Sequence, residues 1–140
     1  MTDSRTDYAG TDQERLWDAD AAARYDTPDE GMFAPDTLDP AVDRLAALAG
    51  RGSAVELAVG TGRVAIPLAA RGVPVTGIEI SRHMVARLRE KADERTLPVV
   101  VGDMATARGP GEPTLVYLVD TTFRSTGSPP CWERVSHYTV

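Results

Sequence analysis

The chain has 140 residues, of which 42% are hydrophobic and 26% are charged, and its 15 Lys and Arg against 21 Asp and Glu give a net charge of −6. This composition is typical of a single globular domain and excludes a disordered or fibrous chain. No run of about 20 apolar residues occurs that could span a membrane.

The acidic residues are concentrated near the start, where residues 1–44 hold 12 acids and 4 bases. The arginines of residues 82–95 alternate with acids, as on a solvated helix face, so no basic surface for nucleic acid is indicated. The polar, acidic start differs from a signal peptide, and the single cysteine, Cys131, permits no internal disulfide. We therefore predict a cytoplasmic protein that binds neither nucleic acid nor membranes.

Residues 1–40 are predicted to form an N-terminal helix and a lid-like segment. An apolar residue recurs every four positions along one helical face, at Trp17, Ala21 and Tyr25. The prolines of residues 27–40 predict a loop there. Its apolar pair, Met32 and Phe33, is expected to pack inward when the segment covers a ligand.

Residues 41–123 alternate between helical and strand patterns. A short helix is expected at residues 41–50, and helices are expected at Thr61–Arg71 and after a Ser81 cap. The four predicted strands are Ala54–Val59, Val73–Ile80, Pro98–Val101 and Thr114–Val119. This alternation predicts an α/β fold with a Rossmann-like, mostly parallel sheet and flanking helices.

Residues 124–140 show neither a strand nor a helix period and are predicted to form an irregular C-terminal tail. Only about 20 residues follow the fourth strand, fewer than the roughly 30 of a further βαβ unit. The sheet is therefore expected to be truncated after strand four. That apolar strand would then be an edge, which predicts self-association through it and little activity of the chain alone.

A glycine-rich turn follows the first strand. Gly60-x-Gly62-x-x-Ala65 lies where the strand gives way to a helix, and Glu79 ends the next strand 19 positions after Gly60. Glycines let the backbone turn sharply and approach a ligand, and the start of a helix offers free N–H groups. A carboxylate on the next strand can accept hydrogen bonds from both hydroxyls of a ribose. The pattern therefore predicts a site for a nucleoside-containing cofactor.

The charge of Glu56, four positions before Gly60, selects among such cofactors. It would repel the pyrophosphate of a dinucleotide, whereas it suits the ammonium and sulfonium of S-adenosylmethionine. A structural role for Glu56 is an alternative, although a buried glutamate is costly unless it is paired. The alternatives for the whole chain are an NAD-type oxidoreductase fragment and a non-catalytic cofactor-binding fragment.

Three motifs together resemble one protein family. ELAVGTGR, VTGIEIS and VGDM, at the ends of the first three strands, resemble the successive motifs of class I S-adenosylmethionine-dependent methyltransferases. The resemblance covers roughly Trp17 to Val119. It implies a mostly parallel, seven-stranded sheet in the order 3-2-1-4-5-7-6 with helices on both sides. It also implies methyl transfer from S-adenosylmethionine, here expected to go to a small-molecule acceptor.

The resemblance further implies roles for individual residues of the glycine turn. Glu56, Gly60 and Gly62 would line the methionine part of the cofactor, and Glu79 would hold the ribose hydroxyls. Ala58 occupies a position where many members carry glycine, so its methyl group is expected to crowd the cofactor slightly.

Further cofactor contacts are implied by the second and third strands and by the leading helix. Ile80 would pack on the adenine, and Asp103 and Met104 would lie beside the amino group at the edge of that ring. Tyr25-Asp26 resembles the Tyr-Asp that ends this family's leading helix near the cofactor. A role for Tyr25 as the core anchor of its helix is the alternative.

The carboxyl ends of parallel strands form the ligand crevice of such sheets, and Val119 and Asp120 end strand four there. Asp120 is the weak candidate to face an acceptor, and no other catalytic residue is predicted. Methyl transfer from a sulfonium mainly needs donor and acceptor held in line, with a base only where the acceptor must lose a proton. Cys131 and His137 lack a third ligand, so no metal site is predicted.

Overall fold

Five strands form one sheet in the order β3-β2-β1-β4-β5 in the computed structural model, which describes residues 17–27, 30–119 and 135–139. The strands are β1 (Ala54–Leu57), β2 (Val75–Glu79), β3 (Val99–Val101), β4 (Leu115–Val119) and β5 (Val135–Thr139). The first four strands are parallel to one another, with Val55 opposite both Thr76 and Val116. The predicted α/β fold with a Rossmann-like, mostly parallel sheet is confirmed.

β5 corrects the expectation for the C-terminal segment. It pairs antiparallel with β4, placing Val135 opposite Val119, so β4 is not an edge strand and residues 124–140 are not wholly irregular. Valine, tyrosine and threonine favour strands, and pairing supplies partners for the backbone groups that an edge leaves free. β4 is therefore not the exposed edge expected from the sequence, and self-association itself stays a prediction.

Four helices lie within the described residues: α1 (Ala19–Tyr25), α2 (Pro35–Ala49), α3 (Ala65–Ala70) and α4 (Arg82–Arg89). A single 3-10 turn, Gly31–Phe33, lies between α1 and α2. The Asp18 side chain caps α1 by accepting from the Ala21 N–H at 2.9 Å. Ser81 caps α4 in the same way, accepting from the Met84 N–H at 3.2 Å, as its position in the sequence predicts.

The loop predicted up to Pro40 ends earlier than expected. Helix α2 begins at Pro35, whose missing N–H is not needed at the first helical position, and it continues through Pro40. The predicted boundary between residues 1–40 and 41–123 therefore falls inside a helix. The second predicted helix is also shorter than expected, because residues 61–64 form a turn before α3 begins at Ala65.

The hydrophobic core lies on one face of the sheet. Helices α2, α3 and α4 contribute Leu45, Leu68 and Leu88, each fully buried. They pack against alternate residues of the strands, including Ala54, Val75, Leu115 and Tyr117. Because successive side chains of a strand point to opposite faces of the sheet, these alternate residues define the face that the helices cover.

The opposite face is covered differently from the arrangement that the family resemblance implies. Within the described residues it carries no helix, and the loop of residues 102–114 crosses it. A hollow of about 600 Å³ remains between that loop and Val55, Leu57, Ile78 and Val116. None of the helices in the described ranges is long and apolar enough to cross a membrane.

Candidate cofactor site

The glycine turn between β1 and α3 is built from residues in the left-handed region. Ala58, Gly60 and Gly62 have φ values of +52°, +62° and +83°. A Cβ on Gly62 would lie 2.8 Å from Ile66 Cδ1, so a larger residue would force the Ile66 side chain to shift, and the positive φ of Gly62 disfavours it further. The turn therefore packs closely on the helix that follows it.

Glu79 is in direct contact with this turn. Its Oε2 accepts from the Gly60 N–H at 3.1 Å and its Oε1 accepts from the Ser81 N–H at 3.4 Å. The side chain is buried, and burial raises its pKa, an effect opposed by the hydrogen bonds from these two backbone groups. The spacing of 19 residues in the sequence thus becomes a contact between neighbouring strand ends.

A hollow of about 70 Å³ lies at the carboxyl ends of β1, β2 and β3. Its lining residues are Trp17, Ala58, Ile78, Glu79, Ile80, Gly102, Asp103 and Met104. Five of the residues proposed from the sequence thus line one hollow: Ala58, Glu79, Ile80, Asp103 and Met104. Apolar walls and two carboxyl groups meet in this place.

Glu56 lies behind the turn, on the core face of β1, and does not line the hollow. It is 3% exposed, and burial raises its pKa to about 8 despite the opposing charge of Arg63 and the nearby Tyr117 hydroxyl. Burial, with Glu56 beside it, also raises the pKa of Tyr117. Arg63 and Tyr117 were not singled out in the sequence, although the arginine directly follows Gly62 and β4 alternates in burial.

Tyr25 lies in a row of aromatic rings outside the hollow. Its ring centroid is 5.5 Å from that of Trp17 and 6.0 Å from that of Phe33, both edge-to-face. Phe33 in turn lies under the guanidinium of Arg63, whose carbon is 5.9 Å from the ring centroid. Phe33 is half-buried in these contacts, and the Met32 side chain lies outside the described part of the structure, so inward packing of this pair over a bound ligand stays a prediction.

The remaining predicted residues lie apart from the hollow. Val119 is buried in the core cluster at the end of β4. Asp120 lies outside the described residues. Trp17 was named in the sequence only as part of a helical face, but it precedes the Asp18 cap and lines the hollow. The position of an aromatic residue directly before a helix cap was the sequence signal that could have indicated that Trp17 packs against the rest of the chain.

Two arginines of α4 are paired with neighbouring acids. Arg87 pairs with Glu90 at 2.7 Å, and Arg89 pairs with Glu94. In the part of the chain that the structure describes, no cluster of three or more His, Cys, Asp or Glu side chains could hold a metal ion.

Residues 54–135, more than half of the chain, match a family model described as a methyltransferase domain. The chain belongs to this methyltransferase family. It is 36% identical to the CcbJ methyltransferase from Streptomyces caelestis, with a TM-score of 0.55 over 71% of this chain and 41% of CcbJ. No curated protein matches the sequence.

Other solved methyltransferases share the fold. The magnesium protoporphyrin IX methyltransferase ChlM from Synechocystis PCC 6803, with bound SAH, is 22% identical with a TM-score of 0.63 over 78% of this chain and 57% of ChlM. The glycopeptide N-methyltransferase MtfA, complexed with S-adenosyl-L-homocysteine, is 24% identical with a TM-score of 0.51 over 71% of this chain and 44% of MtfA. The methyltransferase chain thus spans between 41% and 57% of these relatives.

Ala58→Gly is expected to stabilise this chain by about 1 kcal/mol, because a left-handed conformation costs a residue with a Cβ roughly that much. Ala58 has a φ of +52° and is exposed, so its methyl group contributes little packing in return. Urea unfolding measures the change. Ala47→Gly, on the exposed side of α2, is the matched control and should lose about 1 kcal/mol. Equal losses in both variants would contradict the assignment of strain to Ala58.

Proposed function

We propose that this chain binds S-adenosylmethionine and transfers its methyl group to a small-molecule acceptor. The observation that carries the proposal is the position of Glu79, which contacts the glycine turn and lines the hollow at the strand ends. A carboxylate in this place can accept hydrogen bonds from the two hydroxyls of a ribose. The family membership and the 36% identity to CcbJ support the same function.

The lining of the hollow fits the nucleoside part of the cofactor. Ile78, Ile80 and Met104 offer apolar surface to a base, and Met104 is 43% exposed beside Asp103. A hollow of about 70 Å³ is smaller than the roughly 300 Å³ at which ligand pockets begin. We therefore expect it to widen on binding, with Trp17 as the wall that moves, because Trp17 lies outside the sheet and the helices that form the core.

A titratable carboxyl group behind the turn favours a cationic ligand over a dinucleotide. Glu56 is buried within the strand that leads into the glycine turn, where burial raises its pKa to about 8 beside Arg63. The ammonium and sulfonium of S-adenosylmethionine favour the ionised form of Glu56, whereas a pyrophosphate favours the protonated form and gains no attraction from it. This is the argument against an NAD-type oxidoreductase.

When bound, S-adenosylmethionine supplies a methyl group on a sulfonium that needs no further activation. The residues of this chain have to bind and orient the donor: Glu79 through its carboxylate, Gly60 and Gly62 through their close backbone, and Ile80, Asp103 and Met104 at the base. Rigid placement of this kind accounts for much of the rate of such transfers.

A small-molecule acceptor is supported by the charge of the chain. Its net charge is −6, and Arg87 and Arg89 of α4 each pair with a neighbouring acid. Nucleic acid requires clustered, accessible cations. An uncharged or cationic small molecule can bind without clustered cations on the protein.

Calorimetry with S-adenosylhomocysteine and with NAD tests the cofactor. Binding of S-adenosylhomocysteine with an affinity at least about tenfold above that of NAD is the expected result. Tighter binding of NAD would overturn the proposal.

Turnover is then measured with labelled S-adenosylmethionine and two acceptor pools, a small-molecule extract and total RNA. Label that enters only the small-molecule pool is the expected outcome. Binding without transfer to either pool would identify a cofactor-binding module, and labelled RNA would refute the acceptor class.

A further inference from the structure

The carboxylate of Asp26 connects the N-terminal segment, defined as residues 17–27 and 30–33, to the glycine turn. Asp26 directly follows α1, and its Oδ1 accepts from the Thr61 hydroxyl at 2.6 Å. Its Oδ2 accepts from Lys91 Nζ at 2.9 Å. Both oxygens are thus used, and the side chain is only 12% exposed.

Thr61 lies at the centre of the turn. It is fully buried between Gly60 and Gly62, which both have positive φ values. A buried hydroxyl held at 2.6 Å by a carboxylate fixes the side chain, and through it the peptide units on either side. The neighbouring Gly60 N–H donates to Glu79. A continuous path of contacts therefore runs from Asp26 through Thr61 and Gly60 to the Glu79 carboxylate.

The same segment reaches the site at a second point. Ser81 Oγ donates to the Trp17 backbone oxygen at 2.6 Å, and Trp17 lines the hollow together with Glu79. The segment therefore contacts both places from which Glu79 receives a backbone hydrogen bond. These are the glycine turn, reached through Thr61, and Ser81, the cap of α4.

We propose that Asp26 is a positioning residue, which holds the glycine turn through Thr61 and thereby sets the orientation of Glu79 for cofactor binding. This inference rests on the proposed function. It adds that the affinity for the cofactor depends on a residue outside the hollow, and that this dependence acts through Glu79.

The test measures S-adenosylhomocysteine binding by calorimetry for the full chain and its variants. Asp26→Asn and Thr61→Val should each weaken binding about tenfold, because each removes a charge-assisted hydrogen bond of the path. Thr61→Ser keeps the hydroxyl and should bind like the wild type. Asp43→Asn is the matched control, since Asp43 also pairs with a basic side chain, that of Arg71, but lies on α2 away from the site.

A double-variant cycle separates positioning from general destabilisation. If Asp26 acts through Glu79, Asp26→Asn should weaken binding less in a Glu79→Gln background than in the wild type, by about threefold or more. Equal effects in both backgrounds would overturn the proposal, as would wild-type affinity of both Asp26→Asn and Thr61→Val.

Lys91→Gln gives a readout that does not perturb the buried turn. The Lys91 side chain is 36% exposed, so its loss should weaken binding only about twofold, and high salt should abolish the difference. An unchanged affinity at low salt would count against the path. A wild-type chain that does not bind S-adenosylhomocysteine would overturn the proposed function and this inference together, whereas wild-type binding without any effect of Asp26 overturns only the inference.

Discussion

Glu79→Ala is expected to lower the affinity for S-adenosylhomocysteine about 100- to 10,000-fold. Two charge-assisted hydrogen bonds to ribose hydroxyls would be lost, each worth roughly 1.5–3 kcal/mol in a desolvated site. Glu79 is 6% exposed and lines the hollow, so in Glu79→Ala water would be a poor substitute for the lost carboxylate as a hydrogen-bond acceptor. Calorimetry on the purified chain measures the loss.

The interpretation needs a variant that separates recognition from support of the turn. Glu79 also accepts from the Gly60 and Ser81 N–H groups, so alanine leaves two donors without this acceptor. Glu79→Gln keeps the shape and one acceptor oxygen, and its affinity should fall between those of Glu79→Ala and the wild type. Glu94→Ala, an exposed acid paired with Arg89, is the control and should bind normally. An affinity of Glu79→Ala within about threefold of the wild type would refute the role in ribose binding.

The order of the elements and the position of the hollow could be predicted because their signals are local. Apolar strands that alternate with helices predict parallel pairing, and the carboxyl ends of such strands meet at one edge of the sheet. The glycine turn and Glu79 each end a strand, so their contact at 3.1 Å follows from the order of β1 and β2 alone. Ile80, Asp103 and Met104 reach the same hollow for the same reason.

The parts that could not be predicted depend on contacts between distant segments. The pairing of β5 with β4 joins two segments whose own sequences do not specify each other. The burial of Glu56 beside Arg63 and Tyr117 depends on which face of β4 turns toward the helices. The contact between Asp26 and Thr61 spans 35 residues, and the resemblance of Tyr25-Asp26 to the family's Tyr-Asp places Asp26 near the cofactor without identifying Thr61 as its partner. Local patterns contain none of this information.

The early start of α2 shows a different limit, in which a rule about local sequence was applied too strictly. Prolines predict breaks because they lack an N–H and clash with the preceding turn. At Pro35 neither penalty applies, since the first helical turn has no partner for that N–H. The core residues Val42 and Leu45 stabilise the helix sufficiently to retain Pro40 in it.

The stability of the chain is expected to depend on pH through Glu56. Its pKa is raised from 4.5 to about 8 in the folded chain, mainly by burial. Between these values the folded state holds a proton that the unfolded state has released. The free energy of unfolding should therefore fall as the pH rises from about 5 to 8, by up to about 1.4 kcal/mol per pH unit. The stabilisation is fully present below the unfolded pKa and is lost as the pH passes the folded pKa.

Urea unfolding at several pH values measures this slope, and Glu56→Gln isolates it. Glutamine does not titrate, so the difference in slope between the wild type and Glu56→Gln belongs to Glu56. Burial also raises the pKa of Glu79, which contributes a slope of the same sign, so Glu79→Gln should retain the part due to Glu56. Identical slopes for the wild type and Glu56→Gln would contradict an elevated pKa.

The same titration connects Glu56 to the choice of cofactor. A cationic ligand beside the glycine turn stabilises the ionised carboxylate, so its binding near pH 7 should release up to about one proton from Glu56. Calorimetry with S-adenosylmethionine, which carries the sulfonium that S-adenosylhomocysteine lacks, in two buffers of different ionisation enthalpy measures the release. The ligand's own amino group titrates as well, and Glu56→Gln supplies the value to subtract. Equal proton release by the wild type and Glu56→Gln would mean that Glu56 only stabilises the fold beside Arg63 and does not respond to the charge of the cofactor.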